Sequence, residues 1–128
     1  MTDELVYANI TYVMEDERRK QTEQNLIKSG KAEFLSKGYA KANLRDICKA
    51  AGVTTGAFYF SFENKEALLA AILDPVIAEY RNMCSGLAQR EEDDPGTAED
   101  NERLMMEYLS AHRAEVIILM EKSGGQPL

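Results

Sequence analysis

Residues 43–68 read NLRDICKAAGVTTGAFYFSFENKEAL, and their punctuation decides the fold. Asn43 offers a side-chain acceptor ahead of Leu44, Ile47, Cys48 and Ala51, an apolar stripe at helical spacing, and Asp46 three residues on makes a weak capping box. Gly52 closes this helix after about two turns, because glycine enters the left-handed conformation without the Cβ clash that other residues meet. Thr54 or Thr55 then caps a second short helix running through about Phe60. Two brief helices joined by the tight Gly52-Val53-Thr54 turn have helix-turn-helix geometry. Asn64 is a third cap and opens a longer helix at Lys65.

Upstream, the spacing of Leu26, Ile27, Gly30, Phe34 and Leu35 predicts a helix from about Asp16 to Lys37, stopped by Gly38. Downstream, Leu68, Leu69, Ile72, Val76, Ile77 and Tyr80 form the inward face of a helix from Lys65 to about Leu87. Pro75 removes a backbone donor and clashes with the preceding turn, so a bend or break is expected near Leu73-Asp74. Gln89 to Asn101 is acidic, contains Pro95-Gly96, and reads as a loop. From about Asp100 to Lys122 a last amphipathic helix sets Leu104, Tyr108, Ala111, Val116, Leu119 and Met120 on one side, and Ser123 to Pro127 stop it. The expected fold is all-α: a three-helix helix-turn-helix unit joined by a long helix to a small or truncated helical region. Its parts are an N-terminal extension open to disorder (1–15), the helix-turn-helix domain (16–66) and an incomplete helical effector or dimerisation region (67–128).

A chain of 128 residues with 45% hydrophobic and 29% charged residues can form a core without staples. Two cysteines and one histidine supply neither a disulfide framework nor a metal-ligand set, so no metal and no cofactor are expected. The apolar runs are too short to span a bilayer, and a cytoplasmic, reducing setting follows. The net charge of −7 is unevenly distributed. Residues 1–16 carry four acids and no base, residues 17–66 carry ten Lys/Arg against six Asp/Glu, and residues 67–128 carry five against twelve. The central basic segment is suited to a phosphate backbone, although a solvated helix surface would look the same on charge alone. No nucleophile beside a histidine, phosphate-cradling loop or metal-spaced cluster appears, so an enzyme is not expected.

The ordered series Gly38-Tyr39, Leu44-Arg45-Asp46-Ile47, Ala51 through Tyr59, and Phe62-Glu63-Asn64-Lys65-Glu66-Ala67-Leu68 resembles the DNA-binding domain of TetR-family transcriptional regulators. The resemblance covers roughly two-fifths of the chain. It implies a sequence-specific regulator that binds double-stranded DNA at a palindromic operator as a homodimer, most often a repressor relieved by a small-molecule effector. The alternative is a helical protein-interaction module, or a truncated regulator that pairs with another chain without gripping DNA tightly.

A recognition helix needs small or hydrogen-bonding residues where it enters the major groove. Thr54, Thr55, Gly56 and Ala57 suit that need: hydroxyls bond bases or phosphates, Thr methyls meet thymine methyls, and Gly56 admits close approach. Thr54 could equally be a cap and nothing more. Tyr59 reaches for phosphate or lies in the core with its tip in solvent. Phe60 and Ser61 depart from the polar aromatic or histidine usual in the family; Phe60 loses a polar contact, while Ser61 retains a hydroxyl for phosphate. Lys65 places a cation at a helix N-terminus, which is unfavourable unless an anion docks there. Arg45 is a weaker phosphate candidate, with a pairing to Asp46 as its bland reading.

Phe34, Tyr39, Leu44, Ile47, Val53, Phe58 and Phe62 are assigned to the core, and Cys48 to a buried, inert position. Met83, Met105, Tyr108 and His112 are weak candidates for lining an effector pocket, since methionines at helical spacing are ordinarily core. Residues 1–13 precede the usual start of such a domain, which makes Met14 a candidate native start. The region after residue 75 is short for the family, so either the chain is a truncated regulator or its dimer forms by the helices around 65–87 and 100–122.

Overall fold

Three side-chain caps and two left-handed glycines divide residues 37–65 into short helices, as their residue types require. Asn43 Oδ1 accepts from the Arg45 amide at 2.8 Å, Thr54 Oγ1 from the Ala57 amide at 3.0 Å and Asn64 Oδ1 from the Ala67 amide at 2.8 Å. Gly38 and Gly52 sit at φ 80° and 72°, where a Cβ is strained. The computed structural model describes residues 2–124. They form α1 (Thr2–Lys37), α2 (Leu44–Ala51), α3 (Thr55–Ser61), α4 (Lys65–Asp93), a 3-10 turn (Pro95–Thr97), α5 (Ala98–Ala111) and α6 (Arg113–Gly124). Among the described residues there is no strand.

The core joins all the helices of the helix-turn-helix unit and one later element. Leu26 and Phe34 from α1, Ile47 and Cys48 from α2, Phe58 from α3 and Leu68, Leu69, Ile72 and Leu73 from α4 are buried together, with Ile118 of α6 added from outside. Tyr39, Leu44, Val53 and Phe62 pack partly buried against this cluster. Ser29 Oγ donates to the Ile47 carbonyl at 2.7 Å and fixes α1 against α2. Gly30 is buried because α4 passes directly over it: an added Cβ would lie 2.7 Å from Leu68 Cδ2.

Several boundaries differ from the sequence expectation. Residues 2–15 are helical and continuous with α1, where an extension open to disorder was expected. Its apolar residues Leu5, Val6, Tyr7, Ile10, Tyr12, Val13 and Met14 are all exposed, so no core periodicity marked this stretch as structured. The weak capping box at Asn43 does not close, because Asn43 bonds Arg45 and the Asp46 carboxylate turns to Lys37 Nζ at 3.0 Å. Leu35 is exposed and does not belong to the inward face of α1.

Pro75 does not break its helix; α4 runs through it to Asp93. The turns on either side are held by packing, with Ile72 and Leu73 in the core and the Tyr108 hydroxyl donating to the Val76 carbonyl at 3.1 Å. The expected loop at 89–101 shrinks to Asp94 and the 3-10 turn, where Asp94 Oδ1 accepts from the Gly96 amide at 3.0 Å. Asn101, 1% exposed, donates through Nδ2 to the Leu87 carbonyl at 3.0 Å and locks α5 onto α4. The single helix expected over 100–122 is broken at His112, which leaves helical geometry at ψ 35°. The break turns Ile118 inward, while Leu104, Leu119 and Met120 remain exposed. The stop signal beyond Gly124 lies outside the described residues.

Gly30→Ala is expected to destabilise the domain despite alanine's better helix propensity. Leu68 is fully buried and has no room to yield, so overpacking of about 1–3 kcal/mol outweighs a propensity gain of at most about 1 kcal/mol. A lower midpoint in urea denaturation, with an unchanged slope, is the expected outcome.

Candidate nucleic-acid interface

Helix α3 has an inner and an outer face, and almost nothing of the outer one is used by the fold. Phe58 points inward and is fully buried, against Phe62 at 5.8 Å and Tyr59 at 5.3 Å between ring centroids. Thr54, Thr55, Gly56, Tyr59 and Phe60 are exposed, and Ala57 and Ser61 are half-buried at the edge. Thr54 is the N-cap; its oxygen accepts from Ala57, and the hydroxyl proton remains available to donate outward. A Cβ on Gly56 would meet only Thr54 Oγ1, at 3.8 Å, so the backbone there is open to close approach. Arg45 is exposed and makes no ion pair among the described residues, since Asp46 is taken by Lys37.

The structure adds α1 to this face. Arg18, Arg19 and Thr22 line a hollow of about 190 Å³ with Glu15 and with Ala57, Phe60 and Ser61 of α3. Neither Arg18 nor Arg19 is ion-paired to a described residue, whereas neighbouring Lys20 lies 3.3 Å from Asp16, whose hydrogen bond and charge raise the lysine pKa. Sequence reasoning passed over both arginines as site residues. Their signal was the basic run Arg18-Arg19-Lys20 at the head of the positively charged segment, which gives no indication that it lies beside α3.

Lys65 is more internal than its position at a helix start implied. Its Nζ donates to the Tyr39 carbonyl at 2.7 Å and to the Ala42 carbonyl at 3.4 Å, and stands 4.4 Å from the Tyr39 ring centroid. The loop between α1 and α2 therefore supplies the negative partners that the sequence argument sought in an external anion. Lys122 of α6 lies at the same 4.4 Å from that ring, so α4 and α6 both meet the loop at Tyr39. Burial, with the Glu66 carboxylate nearby, pushes the Tyr39 phenol up.

Residues 26–72 match the family described as bacterial regulatory proteins, tetR family. Residues 26–72 thus carry the N-terminal domain of that family. The HTH-type transcriptional regulator TtgR of Pseudomonas putida is 33% identical over 79 residues, which are 62% of this chain and 38% of that protein. The Transposon Tn10 TetC protein of Escherichia coli is 42% identical over 57 residues, 44% of this chain and 29% of its own length. The probable acrEF/envCD operon repressor of Escherichia coli (strain K12) is 48% identical over 48 residues, 38% of this chain and 22% of that protein. The match thus spans well under half the length of these relatives. No solved structure matches the chain.

Of the four effector candidates beyond residue 72, Tyr108 and His112 lie together. Met83 and Met105 are half-buried. Tyr108 stacks on His112 at 4.4 Å and on Tyr80 at 5.7 Å, and His112 Nδ1 lies 3.3 Å from Glu115 Oε2. Hollows of about 610 and 500 Å³ lie along α1 and α2 and beside Tyr39. Cys48 is buried, which pushes its thiol up, and the neighbouring half-buried Cys84 thiol pushes the Tyr80 phenol up. Among the described residues no cluster is placed to hold a metal ion, and no helix is long and apolar enough to cross a membrane.

Lys65→Met removes the charged donor from two loop carbonyls and is expected to cost about 1.5–3 kcal/mol in chemical denaturation. Phe60→Ser, at an exposed position, is expected to stay within about 0.5 kcal/mol of the parent in the same assay.

Proposed function

We propose that this chain is a sequence-specific DNA-binding regulator of transcription that lays α3 in the major groove. The observation that carries this is the outer face of α3: two exposed aromatics, the threonines Thr54 and Thr55 and an open glycine, flanked by Arg18 and Arg19, which pair with no acid among the described residues. Thr55 and Gly56 face base edges; Arg45, Tyr59, Ser61, Arg18 and Arg19 face phosphates. Lys65 acts first as an anchor of the α1–α2 loop, and its third N–H is the share left for phosphate.

Two copies on a palindromic operator would present two α3 helices about 34–36 Å apart. Similarity to a probable operon repressor supports repression as the sign of regulation, and a regulator that acts on an operon would work in the cytoplasm. A small-molecule effector fits the same picture by linkage: a ligand favouring a different spacing lowers DNA affinity by its differential affinity. Met83, Met105, Tyr108 and His112 border the path such a signal would take. From there α6 reaches the DNA domain through Ile118 in the core, Lys122 at Tyr39 and Glu115 at 3.9 Å from Lys31.

Selection of duplexes from a random library near physiological salt is expected to enrich a two-fold symmetric site. Background binding alone would favour a protein-interaction role. On the enriched site, Arg18→Ala and Arg19→Ala should each reduce the slope of log affinity against log salt by about 0.9. Unchanged slopes would remove α1 from the interface.

A further inference from the structure

We propose that Phe60 reads the C5-methyl group of a thymine in the major groove, making this chain selective for a T·A pair at one fixed place in each half-site. The inference rests on recognition of DNA by α3 and names the chemistry of one contact within it.

Phe60 is 84% exposed, the most exposed of the large hydrophobic residues, although it belongs to a helix of seven residues inside a well-packed domain. One turn back on the same side lie Gly56 and Ala57, at i−4 and i−3. Ring, methyl group and bare backbone form a patch that carries no side-chain hydrogen-bonding group of its own, and the polar groups of Thr22, Ser61, Arg18, Arg19 and Glu15 line the hollow beside it. A polar base edge set against such a patch would lose water and gain no partner. In the major groove every base presents hydrogen-bonding groups, and thymine alone adds an apolar methyl beside its O4 acceptor. That methyl is the one group of a base edge that the ring can cover without such a loss.

The neighbours make the contact specific to Phe60. Tyr59, 59% exposed, has a hydroxyl that phosphate or water satisfies, whereas Phe60 has no polar destination. Arg18 and Arg19 share a hollow with Phe60, Ala57, Ser61, Thr22 and Glu15. Guanidiniums seated on phosphate there would fix the register of the ring against one base step. Burying a single methyl group is worth roughly a fourfold change in Kd.

The test uses the full chain and the duplex that selection enriches. Each thymidine of the site is replaced in turn by deoxyuridine, which keeps the hydrogen-bonding edge and lacks the methyl group. The expected result is one position per half-site where the replacement weakens the parent chain about threefold to fivefold, and where Phe60→Ser is indifferent to it. Phe60→Ala should behave as Phe60→Ser does, and equal melting temperatures of both variants exclude a folding effect. If Phe60→Ser and the parent respond alike at every position, the proposal is overturned while recognition by α3 stands. If Phe60→Ser weakens every duplex equally and deoxyuridine has no effect, the ring packs on sugar or wedges between bases, and the proposal again fails. If no duplex is enriched at all, recognition by α3 fails and takes this contact with it.

Discussion

Burial of Phe58 is the constraint on which the rest depends. A helix of seven residues has no stability of its own in water, because nucleation costs more than so few hydrogen bonds return. Helix α3 exists because Phe58 is sunk completely among Phe34, Ile47 and Leu68, with Thr54 capping one end and Phe62 packed behind the other. Anchoring through a single inward aromatic leaves the opposite face free of structural duty. Thr55, Gly56, Tyr59 and Phe60 occupy that free face, and a protein that needed only to fold would gain nothing from two aromatics there.

The frame around α3 is built so that its neighbours meet at one loop. Lys65 opens α4 and ties the carbonyls of Tyr39 and Ala42; Lys122 of α6 reaches the other ammonium position at the same ring. Lys37, paired with Glu33 at 2.8 Å and Asp46 at 3.0 Å, joins the end of α1 to α2, and both carboxylates raise its pKa. The loop is thus tied by Lys65, covered at Tyr39 by Lys122 and flanked by the Lys37 bridge between α1 and α2. Helix α6 enters the same core at Ile118, which packs the helix-turn-helix unit and the later helices together.

Much of this was legible in the sequence, and the reasons are local. Caps and glycine stops act within four residues, so Gly38, Asn43, Gly52, Thr54 and Asn64 mark helix ends without knowledge of the fold. The core of the helix-turn-helix was equally readable, because Phe34, Ile47 and Phe58 follow helical periodicity in a unit whose order is fixed. Tertiary effects were not legible. Pro75 predicts a break, and only the packing of Ile72, Leu73 and Tyr108 explains why the helix persists. Asn101 in an acidic stretch reads as loop until its amide is seen bonded to Leu87. Arg18 and Arg19 were visible as charge, yet their place beside Phe60 depends on the angle at which α1 crosses α3. Lys65 looked like an anion ligand because the sequence does not show the carbonyls of residues 39 and 42 turning toward it.

The central claim is that the outer face of α3, with the adjoining turn of α1, is the surface that meets DNA. Its most direct test is amide chemical-shift mapping of the full chain titrated with an enriched duplex. The account predicts the largest perturbations at residues 55–61 and 18–22, with α5 and α6 little changed. Perturbations centred on α5 and α6, with residues 55–61 unmoved, would contradict it.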